Sequence, residues 1–238
     1  IIIFNMFNNH FDKIYKSYNK NIGTYRNLYK QIGDLINLSI KDKILLDIGN
    51  GGQTPYDKTI PKKVFVYDIS SEMLNKINDK NIIKIKGDAR NLEKIEDESI
   101  DVILYLYTLH HINGKNKKSA LNSLDNIIIQ AQKKLSKDGT LIIVEPVLNN
   151  ILYFLESISY SFIYKFLSLF NKDMVFIFSK NILISYFTKS FINYDIKSID
   201  LNLTGFVDPL LGTFPGIVRI PAFLMPTKMV YFKITKII

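Results

Sequence analysis

A doubly wound, mainly parallel α/β sheet is the fold class that this 238-residue sequence predicts. Three observations predict it. Short apolar runs alternate with stretches of helical period over roughly the first 145 residues. Several of those runs stop at Gly or Asp, as buried parallel strands do where the chain turns over a sheet edge. No internal repeat or low-complexity linker interrupts the alternation, so one domain spanning 1–238 is expected.

Taken in order, residues 8–38 read as helical in two parts, with Phe11, Ile14, Tyr15 and Tyr18 in the first. Tyr25, Leu28, Ile32, Leu35 and Ile36 mark the second, and 8–40 together make an N-terminal helical cap. The period then changes to four strand-like runs: KILLDI at 43–48, KVFVY at 63–67, IIKIK at 82–86 and SIDVILYL at 99–106. A helix over 72–77 separates the second from the third. An amphipathic helix over 119–135 follows the fourth, Asp138-Gly139 ends it, and TLIIV at 140–144 is the fifth strand. The regular core is therefore 43–146. Residues 147–178 are densely aromatic and form a lid insertion, and 179–238 hold a helix at 180–191 and strands at 194–203 and 228–237. A Gly/Pro-punctuated loop at 205–226 lies between those strands.

Composition narrows the function. The absence of Cys excludes a disulfide framework, a thiolate zinc site and a Cys nucleophile, and it fits a cytoplasmic setting. Three His without an HExxH pair give no basis for a metal centre. A net charge of +9 invites nucleic acid or an anionic surface as partner, yet Arg26, Arg90 and Arg219 are the only Arg. Base readout and phosphate clamping lean on Arg forks, so no nucleic-acid partner is expected. The Lys-rich 115–118 reads as a solvated loop and helix start. The opening IIIFNMF is short and lacks a basic n-region, so it is not read as a secretory leader. Residues 151–170 approach the length of a membrane span, but Glu156, Lys165 and several Ser point to a buried or amphipathic helix. Its uses would include an apolar acceptor pocket, lid packing, a homodimer interface, and peripheral membrane contact through 151–178.

The chemical signal begins with LLDIGNGG. Asp47-x-Gly49-x-Gly51 at a strand end lets the chain turn sharply and approach a ligand closely, because Gly has no Cβ. Asp68 ends the next strand about 20 residues on, where an acid accepts ribose hydroxyls. Gly87-Asp88-Ala89 follows the third strand, with Asp88 suited to an adenine amino group. Asp101 opens the fourth strand, and Tyr105–Thr108 closes it; the whole set is expected to line one crevice.

The ordered runs LLDIGNGG, VFVYDISSEML, IKGDARNL, SIDVILYLYTLHHI and LSKDGTLIIVEP resemble the class I S-adenosylmethionine-dependent methyltransferases. The likeness is to the small-molecule, type 11 and ubiquinone-biosynthesis-like branch, and it covers about residues 43–146. It implies a seven-stranded Rossmann-like sheet whose last strand, here 228–237, is antiparallel. It also implies S-adenosyl-L-methionine as cofactor and S-adenosyl-L-homocysteine as product. Asp47, Gly49 and Gly51 would border the methionine part, and Asp68 with Ile69 the ribose. Asp88 and Ala89 would meet the adenine, with Tyr105 in the same set, and Tyr18 resembles a lid-helix tyrosine near the cofactor carboxylate.

The sequence departs from the family pattern where Gln53 stands in place of a third glycine and Thr54-Pro55 follows, so the first helix is expected to be short or irregular. An NAD(P)-binding domain is the competing reading. It needs G-x-G-x-x-G opening a helix, which Gly49-x-Gly51-Gly52-Gln-Thr-Pro does not match. A non-catalytic nucleotide-binding or scaffold protein is the other alternative. For catalysis, His110 and His111 follow strand four, and His is the side chain whose ordinary pKa suits a base for a hydroxyl acceptor. One of them is expected to act, His110 ahead of His111. Tyr107 at the strand-four tip and Glu145 at the strand-five tip are secondary candidates, the latter to bind an amine or tie down the lid. The resulting expectation is metal-independent methyl transfer to oxygen, less readily nitrogen, of a small-molecule acceptor.

Overall fold

The computed structural model of the protein describes residues 26–52, 54–112, 114–170, 174–207 and 219–237. Apolar residues in successive strand positions dictate a sheet that is covered on both sides. Its strands are β1 (Ile44–Ile48), β2 (Lys63–Asp68), β3 (Ile82–Lys86), β4 (Ile100–Leu106), β5 (Leu135–Leu148), β6 (Tyr194–Leu201) and β9 (Thr227–Lys236). They lie in the order β3-β2-β1-β4-β5-β9-β6, seven strands as expected. The pairs β1–β2, β2–β3, β1–β4 and β4–β5 are parallel, whereas β9 runs antiparallel to both β5 and β6. A two-stranded ribbon of β7 (Phe206–Val207) and β8 (Ile220–Pro221) occupies the described part of the 205–226 loop.

Alternation along each strand divides the core into two layers. On one face Leu45, Val66, Leu104 and Val144 pack with Ile32 and Ile36 of α1 (Arg26–Ile40) and Leu74 of α2 (Ser71–Lys76). On the other, Ile48, Ile103, Tyr105 and Ile143 meet α3 (Lys117–Lys134), α4 (Asn150–Ser168) and α5 (Lys180–Ser190) through Leu124, Ile128, Tyr153, Tyr160 and Phe187. Four of these helices open on a side-chain cap: Ser70 accepts from Met73 N, Asn116 from Ser119 N, Asn149 from Leu152 N, and Ser179 from Ile182 N.

Several boundaries differ from the sequence reading, each for a physical reason. The amphipathic helix stops at Lys134, and Asp138-Gly139 falls inside β5. Ile100 pairs with Leu135 but Val102 already pairs with Thr140, so the extra residues bulge within the strand instead of forming a separate turn. At its other end β5 continues past Pro146 to Leu148 because β9 accompanies it as far as the Leu148–Thr227 pair. The missing N–H of Pro146 harms nothing: β4 ends opposite Val144, so the side it faces carries no neighbouring strand. Strand β6 ends at Leu201 rather than 203. No helix occurs among the described residues between Gly52 and Lys63, which agrees with the irregular segment expected after Thr54-Pro55. The first helical part of 8–38 lies outside the described residues.

Candidate active site

Beyond Ile48 the chain must turn sharply, and the glycines allow it. Gly49 has φ +68, and a Cβ there would sit 2.5 Å from both Oγ1 and Cγ2 of Thr108. Gly51 has φ +63, and among the described residues nothing lies within 4 Å of a Cβ placed there, so a ligand can approach its backbone closely. Beneath this turn Asp47 is wholly buried. Its Oδ2 accepts from Asn50 Nδ2 at 2.5 Å and from the Tyr56 hydroxyl at 2.9 Å, while Oδ1 has no partner among the described residues. Burial pushes the Asp47 carboxyl up to about 7 against the pull of those two hydrogen bonds.

The end of β2 supplies the second acid. Asp68 Oδ1 accepts from Ser70 N at 2.8 Å and Oδ2 from Gly51 N at 3.2 Å, so one carboxylate joins the glycine turn to the start of α2, with Ile69 between. Asp88, after β3, is held by Arg90: Nε donates at 2.9 Å to Oδ1, and Nη2 at 2.5 Å to Oδ2. Ala89 beside it packs against the core. Tyr105 is wholly buried on the α3–α5 face, and its hydroxyl has no partner among the described residues. Asp101 is a correction. It lies at the amino end of β4, away from the crevice, where Oδ2 accepts from Ile44 N at 2.8 Å and Oδ1 from Ser136 Oγ at 3.3 Å. Tyr18 lies outside the described residues.

At the tip of β4 the chain reverses through Tyr107, a non-glycine residue at φ +53 whose N–H donates to Val144 O at 2.9 Å. Its ring lies 6.1 Å from that of Tyr29 on α1. The reversal folds Thr108 back over β1, where its hydroxyl donates to Ile48 O at 3.0 Å. A short 3-10 turn, Leu109–His111, follows. Its backbone is received by Glu145, which projects from β5 and is buried. Glu145 Oε1 accepts from Thr108 N and Leu109 N, each at 2.6 Å. Its other oxygen, Oε2, lies 2.6 Å from His110 Nδ1. An oxygen that serves two N–H donors marks this carboxylate as an acceptor, so the hydrogen on His110 belongs on Nδ1 and the lone pair on Nε2. The His111 ring lies beside it, centroids 4.1 Å apart and planes tilted by 42°.

Four candidates from strands four and five, Tyr107, His110, His111 and Glu145, thus converge on one corner of the sheet. Sequence reasoning missed how they are assembled. Thr108, Asn50, Tyr56 and Arg90 carry much of the site's bonding, yet a lone hydroxyl, amide or phenol in a turn gives no spacing signal. Only the adjacency of Asp88 and Arg90 hinted at a pair.

Comparison with known proteins agrees with this geometry. Residues 46–143 match the family model described as "Methyltransferase domain". No match is found among curated proteins. Among solved structures, an S-adenosylmethionine-dependent methyltransferase from Thermotoga maritima superposes with a TM-score of 0.62 at 16% identity, covering 97% of this chain and 99% of that one. The YcgJ protein of Bacillus subtilis gives 0.60 at 15% identity, covering 87% and 97%. Geranyl diphosphate C-methyltransferase from Streptomyces coelicolor, solved with geranyl diphosphate and S-adenosyl-L-homocysteine, gives 0.58 at 11% identity, covering 85% and 78%. At such identities these likenesses establish a shared fold.

Proposed function

We propose that this chain, whose residues 46–143 match the methyltransferase-domain model, is a class I, S-adenosylmethionine-dependent methyltransferase that moves a methyl group to an oxygen of a small-molecule acceptor with His110 as the base. The observation that carries the reading is the Glu145–His110 pair at 2.6 Å, a buried carboxylate holding a half-buried imidazole beside the glycine turn. When bound, S-adenosylmethionine supplies a methyl group activated by a sulfonium. The residues present fit such a group. Gly51 leaves room for close approach, Gly49 lets the turn close onto Thr108, Asp68 offers a carboxylate to the ribose next to Ile69, and Asp47 keeps one oxygen without a partner among the described residues. Asp88 and Ala89 would border the adenine, with Asp88 held in place by Arg90.

His110 has the matching task. Glu145 holds its Nδ1–H, fixing the ring so that the Nε2 lone pair takes the acceptor's hydroxyl proton. This assigns the proton to a side chain and leaves no part for a metal-bound water. Tyr107, at the tip of the same strand with its ring beside Tyr29, orients the acceptor. In this reading 43–146 hold the cofactor, while 147–178 and the 205–226 loop choose the acceptor.

Titration calorimetry with S-adenosylhomocysteine tests the cofactor half. Asp68→Ala removes a charged acceptor and should weaken binding about 10- to 100-fold. His110→Ala should leave that affinity unchanged and abolish methyl transfer to hydroxylated acceptors. Absence of binding by the wild-type chain sinks the proposal, and full turnover by His110→Ala removes the base.

A further inference from the structure

We infer that the outer face of α4 docks in the plane of an anionic lipid bilayer. The inward face of this 19-residue helix is occupied: Tyr153 and Tyr160 are buried, and the Tyr160 hydroxyl donates to Gly114 O at 3.0 Å. Its outward face carries Ile151, Phe154, Ile158, Phe162, Phe166 and, just past the end, Leu169, all exposed. Their spacing of three or four residues sets them in one stripe along about 28 Å of helix. Phe162 alone is 76% exposed. A continuous apolar stripe of this kind marks a binding surface, since soluble monomers scatter their exposed apolar residues.

Charge selects the occupant. The chain carries +9 at pH 7, so a second copy would bring the same sign to the contact. Lys165 stands exposed within the stripe, where a long aliphatic stem lets an ammonium reach headgroups while its neighbours enter the acyl boundary. Further basic side chains, Lys115 and Lys118, stand exposed at the start of α3, whose Lys117 Nζ lies 5.1 Å from the ring centroid of Tyr153 on the inward side of α4. Glu156, the one acid of α4, turns inward and accepts from Ile177 N at 3.0 Å, so no acidic side chain of α4 opposes an anionic surface. No helix among the described residues is long and apolar enough to cross a membrane, which leaves in-plane docking as the mode available to α4.

Co-sedimentation of the full chain with vesicles tests this without any methyl transfer, so its outcome is separate from that of the function above. The wild-type chain should partition onto phosphatidylcholine vesicles containing phosphatidylglycerol and far less onto phosphatidylcholine alone. Phe162→Ser should reduce partitioning about tenfold, and adding Phe154→Ser should reduce it by about as much again. Both side chains are exposed, so the melting temperature should hold and certify the fold. Three results overturn the inference: no binding by the wild-type chain, equal binding by the double variant, or a dimer in sedimentation velocity that the double variant dissociates while vesicles are ignored.

Discussion

Glu145→Gln separates positioning from packing at the candidate base. The carboxylate receives three donors: Thr108 N, Leu109 N and His110 Nδ1–H, all at 2.6 Å. Alanine would orphan all three in a buried place. An unpaired buried N–H costs about 1–3 kcal/mol, so Glu145→Ala should cost roughly 3–6 kcal/mol after partial relaxation. For a chain of this size each kcal/mol lowers Tm by about 2–4 °C, which places the loss near 10 °C or beyond. Glutamine behaves differently. Its one oxygen serves the two backbone N–H groups better than its amide could, because reversing the amide would set NH2 against two donors instead of one. The amide hydrogens then face His110 Nδ1, and the ring must move its own hydrogen to Nε2 to accept them. Stability should fall by only about 1–2 kcal/mol, while Nε2 loses its lone pair and turnover drops about 10²- to 10⁴-fold, the range a general base contributes. Long-range proton–nitrogen correlation on nitrogen-15-labelled histidine reads the tautomer directly, without any acceptor. The wild type should show hydrogen on Nδ1 and the variant on Nε2. An Nε2–H ring in the wild type, or identical melting of the alanine and glutamine variants, would refute the argument.

Two further perturbations probe other parts of the molecule. Gly49→Ala places a Cβ 2.5 Å from Thr108 at a φ of +68, so it should cost about 1–3 kcal/mol and weaken S-adenosylhomocysteine binding by calorimetry; wild-type melting and affinity would show the turn to be slack. Burial pushes the Glu156 carboxyl from 4.5 up to about 7 against the lowering effect of the Ile177 N–H. Its folded pKa is the raised one, so the stability it contributes is complete below about 4.5 and is lost as pH rises to about 7, a span of roughly 3 kcal/mol. Glu156→Gln keeps an acceptor for Ile177 and should flatten the fall of Tm across that window. Asp47, raised for the same reason, preserves part of the slope; an unchanged pH profile in the variant would place the Glu156 side chain in water.

The sheet was legible because its strands are apolar in consecutive positions and end at Gly or Asp, as in Leu45–Gly49 and Val64–Asp68. Boundaries were less legible wherever a neighbour decides them. Leu135 reads as the last turn of a helix until its pairing with Ile100 is known, and Pro146 reads as a stop although β9 carries the strand beyond it. The acids divide in the same way. Asp47 and Asp68 could be placed at strand ends from the sequence, but Asp101 sits at a strand start, and a strand start faces the opposite edge of the sheet. The partner of Glu145 was hidden for another reason: His110 lies 35 positions away and meets it only because β4 and β5 are parallel neighbours.

That pairing explains why one corner of the fold concentrates the chemistry. Strand order runs outward from β1 to β2 and β3 in one direction and from β4 to β5 in the other, so the connections after β1 and β4 leave toward opposite layers and a crevice opens between them. Thr108 closes the bottom of that crevice. Its hydroxyl bonds to Ile48 O and its methyl presses on Gly49, while its N–H is received by Glu145. The turn proposed to seat the cofactor and the turn carrying His110 are therefore fastened to the same residue. Displacing either one strains the other, and a base held by a separate loop would lack that constraint. Methyl transfer depends on alignment along a line more than on acid strength, so a shared anchor is the arrangement that the proposed reaction needs.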